Sequence, residues 1–214
     1  LNLSKYLNIK KEKLMNFVVI SGSSRSGSQS LKVAKWFESK LKDHSHEATV
    51  LDLQEVNLPL AHEDIWSEID NNEAAIAVRE KLEQADGFVM VTPEWNGMAG
   101  PALKNLFHYV KMTMAYKPAY LVAVSGYRGG AYPIAELRMN SAKNTYINYI
   151  PEHLIVRGAD DLMNDLDENS GDESDQYVKK RGLYGLGLLI EFSKALKEVR
   201  SSNALDFDTY NTGM

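Results

Sequence analysis

The sequence predicts an α/β protein whose core is a doubly wound, five-stranded parallel sheet with helices on both faces. Five apolar runs of strand length recur along the chain, and stretches with helical spacing of apolar residues lie between them. Four of the five runs are almost continuously apolar, which is typical of strands that are covered on both sides. Regular alternation of strand and helix indicates a three-layer fold with right-handed crossovers.

The predicted elements follow one another in a simple order. We predict the strands at residues 17–20, 48–53, 87–91, 119–124 and 153–156. Apolar residues three and four positions apart predict three helices between them, with the stripes Leu31, Ala34, Phe37 and Leu41; Ala75, Val78, Leu82 and Ala85; and Leu103, Leu106, Phe107 and Val110. A long helix over residues 175–200 ends the fold.

Five strands of this kind favour the flavodoxin-like strand order 2-1-3-4-5, in which ligands bind outside the carboxyl ends of strands 1, 3 and 4. We expect a single domain over residues 15–214, preceded by an N-terminal extension of residues 1–14 without functional residues. The acidic stretch 160–175 lacks the spacing of a calcium-binding EF-hand loop, so we predict a solvated loop there.

The composition narrows the possible chemistry and partners. The chain has no cysteine, which excludes disulfides, thiolate nucleophiles and cysteine-bound metal, so redox activity would require a bound organic cofactor. A net charge of −5 gives no support for binding to nucleic acid or to an anionic membrane. No apolar run approaches the roughly 18 residues of a membrane span, and we expect the protein in the cytoplasm.

The histidines do not indicate a metal site or a catalytic side chain. His44 and His46 form an isolated His-X-His pair without a carboxylate cluster nearby, and we expect both imidazoles to be solvated. His108 follows the second of the loops described below and is expected at the surface or in packing. We therefore predict neither a metal site nor a catalytic side chain.

The loop after the first strand carries the strongest functional signal. Residues 22–30 read Gly-Ser-Ser-Arg-Ser-Gly-Ser-Gln-Ser and join an apolar run to a helical pattern. Loop N–H groups and the positive end of the helix dipole would point at an anion, which favours a phosphate site. Ser23, Ser28 and Ser30 can donate hydroxyls, and Arg25 can add charge-assisted hydrogen bonds. A helix N-cap with a flexible linker is the simpler alternative.

Two further loops follow strands that end at the same predicted edge. Residues 92–97 read Thr-Pro-Glu-Trp-Asn-Gly, and their aromatic and amide side chains can flank and hydrogen-bond a flat heterocycle. Residues 125–130 read Ser-Gly-Tyr-Arg-Gly-Gly, and their glycines allow close backbone approach. Each loop alone is compatible with an ordinary turn, but three of them at one edge predict a ligand pocket.

These motifs resemble the NADPH-dependent FMN reductase family, a flavodoxin-like group that includes quinone, chromate and azo-dye reductases. The similar segments are residues 22–30, 93–97 with 103–105, and 125–130 with 137–138. The resemblance implies an FMN phosphate held by Ser23, Arg25, Ser28, Gln29 and Ser30. It also implies an isoalloxazine ring that passes along Pro93, Glu94, Trp95, Asn96 and Gly97 and is closed on its other side by Ser125 and Gly126.

The resemblance implies an oxidoreductase that passes hydride from NADPH or NADH through FMN to small, flat electrophilic acceptors. Quinones, azo or nitro compounds and free flavin are the expected acceptors, and the flavin supplies the chemistry. A homodimer or homotetramer is implied as well. The chain departs from the family pattern at Trp95, where tyrosine is usual, at Met98, and in the reversed order of Gly100 and Pro101.

Two alternatives belong to other functional classes. A flavodoxin-type electron carrier would hold FMN without oxidising NAD(P)H, but such carriers are commonly more acidic than this chain and have a threonine-rich phosphate loop. A flavin-binding regulatory module without turnover is kept open by Met98 and by the Gly100-Pro101 order. Oxidation of NAD(P)H separates the reductase from both.

Overall fold

The computed structural model describes residues 14–56 and 58–213. The strands in this part of the chain are β1 (Asn16–Ser21), β2 (Glu47–Asp52), β3 (Gly87–Trp95), β4 (Met98–Ala99), β5 (Pro118–Ser125) and β6 (Asn148–Arg157). The helices are α1 (Gln29–Asp43), α2 (Ile65–Glu68), α3 (Glu73–Glu83), α4 (Pro101–Tyr109), α5 (Ala131–Met139) and α6 (Glu173–Arg200). The predicted extension, residues 1–14, lies outside the described residues except for Leu14.

Five parallel strands form the central sheet in the order β2-β1-β3-β5-β6. Because β5 and β6 are the fourth and fifth predicted strands, this arrangement confirms the flavodoxin-like order. The short strand β4, which the sequence does not predict, pairs antiparallel with the end of β3. A strand of two residues has no periodicity of its own, so only the turn before it is visible in the sequence.

Both faces of the sheet are apolar, and a separate set of helices covers each face. Along β1, Phe17 and Val19 belong to the cluster formed with α1 and α6, whereas Val18 and Ile20 belong to the cluster formed with α3 and α4. Successive side chains of a strand point to opposite faces, so a strand covered on both sides is apolar at every position. This division confirms the predicted three layers.

Two strands extend beyond their predicted limits. Strand β3 continues past residue 91 because Pro93 still pairs with Val124 of β5, although pairing with β1 has ended at Val91. Proline is tolerated there because this part of β3 no longer pairs with β1, so no backbone N–H is needed on that side of the strand. Strand β6 begins at Asn148 rather than at residue 153, and its first half mixes buried and exposed side chains. An apolar run alone therefore underestimates β6.

One expectation about polar residues is wrong, and another holds for most of its segment but not for its last residue. His46 is buried, not solvated: after α1 the chain turns at Ser45, which has a φ of 63°, and the His46 ring packs edge-on against Phe17 with ring centroids 5.5 Å apart. The acidic stretch is exposed along most of its length, but Asp175 at its end is buried and pairs with the fully buried Lys179. A buried lysine partner in the next helical turn explains this exception.

Neither a metal cluster nor a membrane span is found in the described part of the chain. Within residues 14–56 and 58–213, no three histidine, aspartate or glutamate side chains are grouped so as to hold a metal ion. In the same residues, no helix is both long and apolar enough to cross a bilayer.

Candidate functional site

The first loop of the site joins β1 to α1 and lies directly beside the end of β3. The Gly22 N–H donates to the Val91 carbonyl at 2.7 Å. A Cβ on Gly22 would lie 2.9 Å from that carbonyl oxygen and 3.1 Å from Leu103 Cβ, so a side chain is excluded at this position. The close approach holds the loop against β3 and α4. Leu103, which the sequence predicts in the apolar stripe of this helix, forms one side of the contact.

Two serines shape the first loop by hydrogen bonds to its own backbone. Ser28 is the N-cap of α1, and its Oγ accepts from the Leu31 N–H at 3.1 Å. Ser23 Oγ accepts from the Arg25 N–H at 3.2 Å. Both serines are buried, whereas the Arg25 side chain is exposed. The hydroxyls act as acceptors in these bonds, so each retains its proton for donation to a ligand.

Three buried polar atoms at the start of α1 and the end of β1 fit a polar ligand. Ser21 Oγ, Ser30 Oγ and Gln29 Oε1 have no hydrogen-bond partner within residues 14–56 and 58–213. Buried polar atoms without partners are rare in folded proteins, and a cluster of them calls for an explanation. The two hydroxyls suit a phosphate. Gln29 Oε1 can only accept, and it therefore suits a sugar-alcohol hydroxyl rather than the phosphate itself.

The second loop is the tip of a tight hairpin between β3 and β4. Asn96 and Gly97 have φ values of 50° and 75°, which is the geometry of a two-residue type I′ turn and explains the Asn-Gly sequence. Trp95 and Met98 stand opposite each other across this hairpin and are 40% and 46% exposed. Tyr132 of α5 approaches the turn, since its ring lies 3.5 Å from where a Cβ on Gly97 would be. The site therefore has an exposed apolar rim.

Glu94 joins the second loop to the third. Its Oε2 accepts from the Gly130 N–H at 2.7 Å, and a Cβ on Gly129 would overlap this same carboxylate. Ser125 organises the third loop locally, because its Oγ accepts from the Gly129 N–H at 3.2 Å and from the Tyr127 N–H at 3.3 Å. The carboxylate of Glu94 is thus committed to the protein backbone, while the space beside Gly126 is open.

Arg157 fixes the third loop from the side of β6. Its Nε donates to the carbonyls of Arg128 and Gly129 at 2.9 and 3.0 Å. Arg138, which the motif comparison includes, instead donates to three carbonyls at the start of β6, those of Ile150, Pro151 and Glu152. Both arginines are therefore structural in this fold.

Several residues that support the site were not predicted to do so. Asn105 clamps the segment after β2: its Oδ1 accepts from the Ala61 N–H and its Nδ2 donates to the Pro59 carbonyl, both at 2.8 Å. Glu136 of α5 accepts from the Ala99 N–H at 2.6 Å and pairs with Lys104 at 3.2 Å. Lys104 and Asn105 belong to the motif at residues 103–105, which marks them as candidates for a role in the site. Their hydrogen-bond partners lie more than 30 residues away in the sequence, so the sequence does not predict these contacts.

The reversed Gly100-Pro101 pair has a local structural reason. A Cβ on Gly100 would lie 2.6 Å from the Gly22 carbonyl oxygen and 2.9 Å from Pro93, so glycine is required there. Pro101 occupies the first turn of α4, where its missing N–H and fixed φ are favourable. The order therefore brings the first and second loops into contact rather than disrupting the site.

Residues 15–160 match the sequence profile of NADPH-dependent FMN reductases. The chain belongs to the NADPH-dependent FMN reductase family. The matched segment includes all three loops, and the resemblance carried by their motifs is confirmed. FMN is the cofactor of this family and NAD(P)H its co-substrate, which agrees with the polar atoms found at the first loop.

Two relatives in this family and one solved structure are similar to the chain. An NADPH azoreductase of Bacillus sp. (strain OY1-2) is 27% identical over 145 residues, which cover 67% of this chain and 78% of the relative. An NAD(P)H-dependent FMN reductase of Schizosaccharomyces pombe is 28% identical over 159 residues, with the same coverage of 67% and 78%. The structure of a flavoenzyme NAD(P)H:(acceptor) oxidoreductase of Paracoccus denitrificans has a TM-score of 0.62 at 19% identity and covers 86% of this chain and 98% of its own. At that identity, the structural match supports the fold.

Proposed function

We propose that the protein oxidises NADPH or NADH and transfers the hydride through bound FMN to small, flat electrophilic acceptors. Quinones, azo compounds, nitro compounds and free flavin are the acceptor classes proposed. One observation carries this proposal: three loops follow the carboxyl ends of β1, β3 and β5, and buried polar atoms at the end of β1 and the start of α1 have no protein partner in the described residues. Membership of an FMN reductase family supplies the chemical class.

We assign the FMN phosphate to the first loop. Ser23, Ser28 and Ser30 would donate hydroxyls, Arg25 would add a charge-assisted bond, and the N-terminal end of α1 would face the anion. Gln29 is proposed to accept from the ribityl chain through its unpartnered Oε1, because its amide nitrogen already donates to Asp160.

We assign the isoalloxazine ring to the second and third loops. The backbone from Pro93 to Gly97 would run along the ring, and Ser125 and Gly126 would close its other side, where the structure leaves open space. When bound there, FMN would supply the two-electron redox chemistry of the reaction. The half-exposed Trp95 would contribute a flat aromatic contact for an incoming acceptor, and Met98 a flexible apolar one.

Absorbance spectroscopy under nitrogen tests the proposal. We expect the protein to bind FMN with a yellow colour, to bleach when NADPH or NADH is added, and to regain its colour when a quinone follows. Binding of FMN without any reaction with either nicotinamide would instead support an electron carrier or a regulatory module. Absence of FMN binding would contradict the assignment of all three loops.

The Arg25→Ala variant tests the phosphate assignment. We expect FMN to bind about tenfold more weakly, because one charge-assisted hydrogen bond is lost. Lys35→Ala removes the same charge from an exposed position of α1 and is expected to leave the affinity within about twofold. Equal losses in the two variants would show a general charge effect and would contradict the role of Arg25.

Assembly and location are also proposals. We propose that the protein forms a homodimer or homotetramer and acts in the cytoplasm. Light scattering coupled to size exclusion decides the first, with a monomer as the contradicting result. Fractionation of the source cells decides the second.

A further inference from the structure

The segment between β6 and α6, residues 158–171, surrounds a buried lysine; we call this segment the acidic strap. Lys179 is fully buried in α6, and its Nζ donates to the Asp167 carbonyl at 2.9 Å and to Ser170 Oγ at 2.8 Å. The same ammonium pairs with Asp175 Oδ2 at 2.8 Å. A buried ammonium needs such oxygen partners on several sides, and here the acidic strap provides them.

Asp175 ties the acidic strap to the start of α6. Its Oδ1 accepts from the Met163 N–H at 2.7 Å, while its Oδ2 is occupied by Lys179. Gly171 passes so close that a Cβ would overlap the Asp175 carboxylate, and its φ of 87° also requires glycine. The acidic strap is therefore fixed from inside the protein, by one ion pair, at several points along its length.

The opposite side of the acidic strap holds the first turn of α1. Asp160 Oδ1 accepts from Gln29 Nε2 at 2.6 Å. Lys32 Nζ donates to the Ala159 carbonyl and to Asn164 Oδ1, both at 2.6 Å. Burial lowers the pKa of Lys32, and nearby aspartates, Asp160 foremost, oppose that shift. Two side chains of α1 are thus anchored to the acidic strap within one helical turn.

The acidic strap also begins in contact with the third loop. The Ala159 N–H donates to the Ser125 carbonyl at 3.1 Å, and the Gly158 N–H donates to the Tyr127 carbonyl at 3.0 Å. The acidic strap therefore connects the loop proposed to close over the ring with the helix turn proposed to hold the phosphate.

We infer that the acidic strap sets the position of the α1 N-terminus, and that Asp160, Lys32 and Lys179 are positioning residues for the FMN phosphate. This inference rests on the proposed function, because it takes the phosphate to lie at that helix turn. None of the three residues needs to touch FMN: Asp160 and Lys32 act through α1, and Lys179 acts through the acidic strap.

The Asp160→Ala and Asp160→Asn variants test the inference by the sign of their effect. Both remove a negative charge near a bound anion, which by charge alone strengthens FMN binding. Only Asp160→Asn keeps an oxygen that can accept from Gln29. We therefore expect FMN to bind about tenfold more weakly to Asp160→Ala, and as tightly as wild type or more tightly to Asp160→Asn. Tighter binding to both variants would overturn the inference.

Riboflavin, which lacks the phosphate, supplies the second readout. Positioning of the phosphate predicts that Lys32→Met loses FMN affinity but keeps riboflavin affinity within about twofold, since Lys32 holds α1 without acting through the ribityl contact proposed for Gln29. Equal losses for the two ligands would show general damage and would overturn the inference. Arg181→Met is the matched control on α6, because it breaks the ion pair with Glu152 at 2.6 Å, away from the acidic strap; we expect no change in the ratio of the two affinities.

Hydrogen exchange of the protein without FMN separates this inference from the proposed function. In Lys179→Met, we expect faster amide exchange in residues 22–32 and 158–171, and unchanged exchange in α3, provided that the variant remains folded by circular dichroism. If Lys179→Met does not fold, Lys32→Met gives the same comparison for residues 22–32. Unchanged exchange there in Lys32→Met would overturn the inference. If wild-type protein binds no FMN, the proposed function fails, whatever the exchange result.

Discussion

Glu94 shows how one side chain joins two parts of the site. Its carboxylate accepts from the Gly130 N–H and fills the place that a side chain on Gly129 would need. The resemblance places Glu94 in a motif expected to lie along the ring, and the structure shows its carboxylate bound to the third loop. Its partner lies 36 residues further along the chain, and only the pairing of β3 with β5 brings the two together. A motif indicates that a residue matters, but the folded chain decides what the residue touches.

A double-mutant cycle tests this joining role. Glu94→Ala and Gly129→Ala are each expected to weaken FMN binding about tenfold, because both remove the hydrogen bond to Gly130. In the Glu94→Ala background, Gly129→Ala should add less than about twofold, since the side chain it would displace is gone. Fluorescence titration of FMN measures all four affinities. Full additivity would contradict the contact, and Glu94→Gln, which keeps an acceptor oxygen, is the control.

The spacing of apolar residues predicts helix α6 but not the neighbours of its glycines. The sequence predicts this helix over residues 175–200 with Leu186, Leu189, Phe192 and Leu196 available for packing. Leu186 and Leu189 are buried against the sheet, whereas Phe192 is exposed. The sequence does not indicate what lies beside each glycine of α6, because a glycine in a helical pattern gives no sign of its neighbour. At Gly185 the neighbour is the ring of Tyr120 from β5, which would overlap a Cβ, whereas at Gly187 there is open space. Burial also raises the pKa of the Tyr120 hydroxyl.

The two glycines predict opposite effects of the same substitution. Gly185→Ala is expected to destabilise the protein by about 2–3 kcal/mol, because Tyr120 and α6 must move apart. Gly187→Ala is expected to stabilise it by about 0.5–1 kcal/mol, because alanine loses less backbone entropy in a helix. Urea unfolding followed by circular dichroism gives both values. Destabilisation by both substitutions would show that the space beside Gly187 is not available.

For the whole molecule, the five central strands were predictable because most of them leave an apolar run, and their order followed from the fold class that five such strands favour. The interactions that connect the layers were not predictable, since they depend on polar side chains reaching distant carbonyls. Lys117, directly before β5, is one of these: its buried Nζ donates to the carbonyls of Leu82 and Glu83 at 2.8 and 2.7 Å, at the end of α3. Burial lowers the pKa of Lys117 to about 8, although Glu83 partly opposes that shift.

Lys117 makes the stability of the molecule depend on pH. Between about pH 8 and the normal lysine pKa of 10.5, the unfolded chain holds a proton that the folded chain has released. The free energy of unfolding therefore rises with pH in that window, and the contribution is constant below it. We expect wild type to gain about 1–2 kcal/mol relative to Lys117→Met between pH 7.5 and 9.5. Parallel stability curves for the two proteins, measured by urea unfolding, would contradict the lowered pKa.

The buried Lys179 has a consequence for how the protein responds to its surroundings. The cation that organises the acidic strap is covalently part of the chain, so every copy carries it at full occupancy. A loop folded around Ca²⁺ would gain and lose its order as the free ion concentration changed. Here the ammonium of Lys179 holds the acidic strap, so the order of the strap does not require an ion at that position. The acidic strap is rich in aspartate, as calcium-binding loops are, but an internal lysine holds it in place.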